Sequence, residues 1–306
     1  MNTSRHLPAL PCSEWKQTRQ TLHLYTQIVG KIRMELTPFR NHWWHVPLYV
    51  TAEGLGTHSI PSVSGCFEID FDLMHHRLKV TTNSGQLKAF DLTDGLSVSG
   101  FYNNLMAILD DFDIKTDILA RPYKHFSDTP FADDKVHNRY DQDYVARYWM
   151  AMMWVDRVFR KFNSDFYGKA SPAHLFWHSF DLATTRFSGE LATALPQSDR
   201  VDQEAYSHEL ISFGFWPGDD NIPDAAFYSY TWPSPKDLTE TPLMPAQARW
   251  MEMRGSPMAL LMYEDVRKAD DPEKDLLYFL NSAYLAGSEL AHWDMVPLHK
   301  KIADVV

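Results

Sequence analysis

Apolar residues recur at helical spacing near the start of the chain. Trp15, Leu22, Tyr25, Val29, Ile32 and Leu36 fall on one stripe, with Ser13 available as an N-cap and Pro38 just past the end. The pattern then changes to aromatic and β-branched runs over Trp43–Ala52, Cys66–Leu73, Leu78–Thr82 and Gln86–Leu92, which predict strands. Asn83-Ser84-Gly85 predicts a hairpin turn between the last two. A second helix is predicted with Ser97 or Ser99 as cap and Phe101, Leu105, Ile108 and Phe112 on one face, followed by a last strand over Ile114–Ala120.

Arg121–Asp134 carries Pro122, Pro130 and several charges and reads as a linker, so the expected division is residues 1–121, a connection over 122–140, and residues 141–306. Asp141 should cap a long helix with Tyr144, Tyr148, Met152, Val155, Phe159 and Phe162 along one side. Strands are predicted over His174–Thr184, Tyr206–Trp216, Ala226–Trp232 and Met258–Tyr263, and a final helix from Asp271-Pro272, where proline suits a first turn.

Both halves therefore read as helix, strands, helix. The segment His42–Val50 also lies without a gap over His174–Leu182, so that His42 meets His174, Trp44 meets Phe176 and Leu48 meets Phe180. Internal duplication and a chance match of two amphipathic strands both account for this. The expected fold class is α+β, with two related halves, each an antiparallel sheet flanked by helices. A cleft between them would be the natural place for a site.

Several long segments carry a family resemblance. They include Thr21-Leu22-His23-Leu24, Gln27-Ile28-Val29-Gly30-Lys31, Asn41–Val50, Phe67–Asp72, His174-Leu175-Phe176-Trp177, Thr185–Gly189, Tyr206-Ser207-His208-Glu209 and Gly214–Gly218. Over Trp15 to Trp293 the chain resembles a bacterial family known as domain of unknown function 5996. The resemblance implies a family and no activity. The family pattern has glycine where this chain has His178, which argues against a family-wide role for that residue.

Charge narrows the partners. A net charge of −11 without a basic run offers little to neutralise phosphates, so nucleic acid and anionic membrane surfaces are not expected partners. The longest apolar run, Trp149 to Val155, is far shorter than the roughly 18 residues of a membrane span. Met1–Leu7 lacks the apolar stretch of a signal peptide, and two cysteines, Cys12 and Cys66, make no disulfide framework. The expected location is the cytoplasm, with both thiols reduced.

Histidines and carboxylates supply the candidate chemistry. Strand alternation would put His42 and His45 on opposite faces, and His174 and His178 about 13 Å apart, so neither pair could chelate a metal from a strand; only a helical turn, which Ser171-Pro172 could start, would unite His174 and His178. A metal would need ligands from separate strands, such as His42, His174 and His208; buried structural histidines are the competing account, and no metal is assigned. Glu68, Asp70 and Asp72 alternate with apolar residues and suggest a solvated strand face.

Trp177 and Asp181 would share a face, with Arg186 just beyond and His208-Glu209 on another strand. A pocket of this kind would take Asp181, His208 and Glu209 as acid/base residues. Arg186, His42, His45, His174 and Trp177 would bind the ligand, Arg186 as an anion clamp. A structural Arg–carboxylate pair explains the same residues. Two functions stay open: a small-molecule enzyme working by acid/base chemistry, and a non-catalytic binding protein for a small anionic metabolite. No cofactor is identified.

Overall fold

The structure, a computed structural model, describes residues 7–123, 127–192, 200–219, 222–253 and 255–299. It is an α+β protein built on two antiparallel sheets. The chain divides into two compact units, one of residues 10–153 and 175–180, the other of 1–9, 154–174 and 181–306. The expected connection over 122–140 therefore lies inside the first unit, and the long central helix changes unit at Met153.

The first unit opens with α1 (Cys12–Leu36), whose apolar stripe packs toward α2, Tyr25 stacking on Phe101 at 4.1 Å. Ser13 is not its cap: the helix begins at Cys12 after Pro11, and no side chain caps it. Short strands β1 (Tyr49–Val50), β2 (Gly54–Gly56) and β3 (Ile60–Ser62) lead into β4 (Gly65–Asp72), β5 (Arg77–Thr82) and β6 (Leu87–Asp91). The sheet order is β1-β2-β4-β5-β6, with β3 pairing β4. The β5–β6 hairpin turns where predicted, and Gly85 takes the positive φ of 82° that favours glycine. Ser97 caps α2 (Val98–Asp111) by accepting from Gly100 N.

The helix α3 (Gln142–Asn163) starts at Asp141, whose carboxylate accepts from Asp143 N and Tyr144 N. In the second unit follow β7 (His174–Phe176, which leaves this unit after His174), β8 (Asp181–Leu191), α4 (Arg200–Ala205), β9 (His208–Trp216), β10 (Ala226–Trp232), β11 (Arg249–Met253), β12 (Ser256–Met262), α5 (Tyr263–Lys268) and α6 (Pro272–Leu290). Its sheet runs β11-β12-β10-β9-β8-β7. One face is packed by helices, with Phe213 against Phe162 of α3 and Gly287 of α6 close against Ile211 and Thr231.

Three predicted strands differ. Only Tyr49–Val50 of Trp43–Ala52 is a strand: Asn41–Trp43 is a 3-10 turn, and His42 and Trp43 have positive φ, which no extended run accommodates. His174–Thr184 breaks after Phe176, because Phe180 N turns back to donate to Phe176 O and Phe180 takes a φ of 62°. Ile114–Ala120 joins no sheet; it is held by side chains of α1 instead, Glu35 accepting from Asp117 N. The segments His42–Val50 and His174–Leu182 are thus not equivalent strands. The two sheets differ in strand order and do not show the duplication that the sequence suggests.

The acidic row on β4 is not uniformly solvated either. Glu68 is exposed and Asp70 half-buried, but the Asp72 side chain is 0% exposed. It accepts from Arg77 Nε at 3.0 Å and from the backbone and ring nitrogens of His75, with Lys79 Nζ at 3.6 Å, so cross-strand cations replace water.

Candidate functional site

Alternation along β8 and β9 sorts the candidates of the second unit. Ala183 and Thr185 pair with Gly214 and Ser212, so Asp181 shares their face, together with His208, Leu210 and Trp216. Arg186 pairs with Ile211 and points with Glu209 and Phe213 to the helix-covered face. The sheet itself therefore separates Asp181 and His208 from Arg186 and Glu209. Asp181 and His208 share a face but not a place. Asp181 starts β8 beside the Trp216 end of β9, and His208 lies eight positions away along β9, about 26 Å at 3.3 Å per residue.

Arg186 is spent internally. It is 1% exposed, and its guanidinium carbon stands 3.5 Å from the Phe162 ring centre, 4.6 Å from Tyr284 and 4.8 Å from Phe166. It donates to Phe162 O, Asn163 Oδ1 and Asp165 Oδ1. Burial lowers it to about 10, with Asp165 and Tyr284 partly restoring it, so it keeps its charge at neutral pH. It is a cation enclosed by three aromatic rings. His208 Nδ1 lies 3.0 Å from Ser207 Oγ at the start of β9.

Asp181 gains a partner that the sequence did not suggest. Tyr228 of β10 donates its hydroxyl to Asp181 Oδ2. The two residues lie two strands apart, and β9 between them carries Gly214 at the crossing. A Cβ there would stand 2.2 Å from the Tyr228 ring, so only glycine lets the ring lie across the strand. Tyr230 follows with its ring 6.1 Å from Tyr228 and nearly parallel, and its hydroxyl lies 3.2 Å from that of Tyr206. Thr185 and Ser212 hydroxyls pair at 3.1 Å on the same face. The result is a row, Tyr206–Tyr230–Tyr228–Asp181. Burial, with Asp181 and the neighbouring phenols, pushes Tyr228 and Tyr230 well above 10, so both stay neutral hydrogen-bonding phenols. One flank is apolar: Trp216, Met251, Met253 and Met262 pack with Ile222, Ala226 and Leu260. Gly214 was the available signal, since a glycine inside a predicted strand marks a close approach.

In the first unit, Trp177 is buried and donates Nε1–H to Val46 O at 3.0 Å, its ring lying against Gly30 of α1. Its carbonyl lies 2.9 Å from His23 Nε2, which Gln27 Nε2 approaches at 3.1 Å. His45 is buried beside Trp43 and Phe39, and its Nδ1 accepts from Arg40 N. Burial, and to a lesser degree Arg33, lowers its pKa, so the ring is neutral at pH 7. His42 packs on Trp44. His174 is buried at the start of β7.

Among the described residues, no group of three or more His, Cys, Asp or Glu side chains could hold a metal ion. A groove of about 480 Å³ is lined by Asp265, Lys268, Asp271 and Lys274, and a pocket of about 270 Å³ by Ser62, Cys66, Thr82, Asn83 and Phe112. None of the sequence candidates lines either. No described helix is long and apolar enough to cross a membrane.

Fold and site together define an α+β protein with two antiparallel sheets, one bearing a tyrosine–aspartate row on the face opposite its helices. The chain belongs to a family of unknown function, DUF5996, whose family model matches residues 7–300. No curated protein and no solved structure matches it.

Proposed function

We propose that this protein binds a small organic molecule on the tyrosine row of the second sheet. The observation that carries this reading is the Tyr228–Asp181 hydrogen bond across Gly214, which sets a carboxylate at the end of a row of neutral phenols. Such a row offers hydroxyl donors and acceptors, one anionic acceptor and flat ring surface, with Trp216 and the methionines for an apolar part. That inventory fits a neutral or cationic ligand bearing hydroxyl or amine groups. Arg186 is enclosed on the other face and supplies no anion clamp here. Phenols held well above 10 do not act as bases at neutral pH, which favours binding over acid/base catalysis here.

The test is a thermal-shift screen of amines, polyols and aromatic alcohols against the full chain, Tyr228→Phe and Asp181→Asn. Hits that stabilise the parent and lose at least tenfold in affinity in both variants are expected. Hits unaffected by either substitution would move the site elsewhere.

An acid/base enzyme is the second reading, and Asp70 favours it. Burial first, then Glu68, Glu53 and Asp72 against the opposing effect of Lys79, push its carboxyl up to about 6. Turnover of any screened compound that Asp70→Asn abolishes would carry that reading; turnover unchanged in the variant would remove it.

A further inference from the structure

Two hairpin turns meet at one end of the first sheet. The β3–β4 turn carries Ser62 and Ser64, and the β5–β6 turn runs from Thr82 to Gln86. The chain leaving α2 closes a third side with Phe112 and Asp113. Between them lies the pocket of about 270 Å³. Ligand cavities run from roughly 300 Å³ upward, so this one has room for a single small molecule.

Its polar wall is braced from behind. Cys66 and Asn83 exchange two hydrogen bonds, Cys66 N donating to Asn83 Oδ1 at 3.1 Å and Asn83 N to Cys66 O at 3.0 Å. Gly65 leaves the space that the asparagine amide fills, since a Cβ there would overlap it. The amide is thus held by its oxygen, and its Nδ2 has no partner among the described residues. The same is true of the Ser62 and Ser64 hydroxyls. Thr82 and Ser84 hydroxyls pair at 2.8 Å, and Thr82 Oγ1 accepts from Gln86 N at 3.2 Å, which fixes the second turn.

Polar turns are ordinary, and water satisfies them. Here, however, uncommitted donors from two turns line one cavity together with the half-buried Phe112 ring. The lining also sorts ligands by charge. Among the described residues no lysine, arginine or histidine lines the pocket, so an anion would find no counter-charge and would meet Asp113. That carboxylate is 94% exposed, so solvent screens it and it holds a cation weakly. Hydroxyl groups suit the wall best, because each donates and accepts at once, and a ring C–H face suits an aromatic side chain.

We propose that this pocket binds a small neutral polyol or monosaccharide, its hydroxyls hydrogen-bonded to Ser62, Ser64 and Asn83 and its C–H face against Phe112. The site belongs to the first unit and uses none of the tyrosine-row residues, so either can fail alone.

Cys66 supplies the readout, since its half-buried thiol lines the pocket while Cys12 is buried. Alkylation of Cys66 by iodoacetamide at about pH 8, followed by mass spectrometry of the full chain's digest, measures access to the cavity. The probes are glucose, galactose, mannose, ribose and myo-inositol, with betaine at equal osmolality as the control for solvent effects. A Kd of about 10 mM slows alkylation about sixfold at about 50 mM ligand, because protection follows 1 + [L]/Kd. At least one probe should protect to that degree where betaine does not. Asn83→Ala and the double variant Ser62→Ala/Ser64→Ala should each remove most of the protection, and Tyr228→Phe should retain it. If Asn83→Ala disturbs the turn, seen as faster alkylation without ligand, the serine variant carries the comparison, because its hydroxyls hold no other described group. A panel in which nothing protects Cys66 beyond betaine would overturn the proposal. Protection undiminished in the serine variant, or lost in Tyr228→Phe, would do the same.

Discussion

Tyr228 reaches Asp181 across a strand that has no side chain at the crossing, because Gly214 stands between β8 and β10 where the ring passes. The geometry couples three strands through one hydrogen bond. Gly214→Ala should therefore destabilise the protein by about 2 kcal/mol, the usual scale of a side chain forced into a packed site. Its φ is not in the left-handed region, so the cost is steric. Urea denaturation measures it; an alanine variant as stable as the parent would mean that the ring does not lie there.

Removing the hydroxyl alone separates the bond from the ring. Tyr228→Phe should cost about 1–2 kcal/mol, since Asp181 is buried and loses a donor. Asp181→Ala combined with Tyr228→Phe should cost less than the two singles summed, with a coupling of about 1 kcal/mol. Additive singles would show that the pair does not interact in solution.

Asp70 and Asp72 stand two residues apart on β4 and should respond to pH with opposite signs. For Asp72, burial alone would raise the pKa, but the His75 backbone N–H, Arg77, the His75 ring and Lys79 outweigh it and hold the carboxyl below its usual range. Its contribution to stability is present above the unfolded value near 4 and is lost as pH falls through the lower folded value. Asp70 is raised to about 6, so the folded state holds the proton more tightly and stability declines as pH climbs from about 4 to 6. Asp70→Asn should then stabilise at pH 7 by roughly 1–2 kcal/mol, allowing for screening of a half-buried group, and flatten the decline between pH 4 and 6. Asp72→Asn should destabilise at pH 7 by about 2 kcal/mol and lose that penalty progressively as pH falls below about 4. Denaturant midpoints from pH 2 to 8 on both variants check the signs.

Arg186 tests whether a cage of three rings requires a planar cation. Arg186→Lys preserves charge but not the flat guanidinium that meets Phe162, Phe166 and Tyr284 while donating to Phe162 O and Asn163. A loss of about 2–4 kcal/mol is expected, as for a buried cation stripped of part of its partners. A lysine variant within about 0.5 kcal/mol of the parent would fit an exposed surface position and contradict the enclosed one.

Local patterns were legible along the chain because their causes are local. The stripe from Leu22 to Ile32, the Ser97 and Asp141 caps, the Asp271-Pro272 helix start and the turn at Gly85 depend on residues within a few positions of one another. The predicted strand over Trp43–Ala52 shrinks to Tyr49–Val50 because left-handed φ at His42 and Trp43 overrides an aromatic, β-branched composition that favours extension.

The candidate site divides along the same line. Asp181 was visible as a carboxylate among aromatics, but its partner was not: Tyr228 lies 47 residues on and meets it only through the register of β8, β9 and β10. Grouping Arg186 with Asp181 failed because one residue of alternation puts them on opposite faces of the sheet. The sequence by itself determined the four long helices, the caps at Ser97, Asp141 and Asp271, the hairpin and the strand-forming character of much of both sheets, since these follow from short-range geometry. Only the tertiary structure decided which polar groups are buried, which are paired and which face each shares, because those depend on packing between segments far apart in the chain.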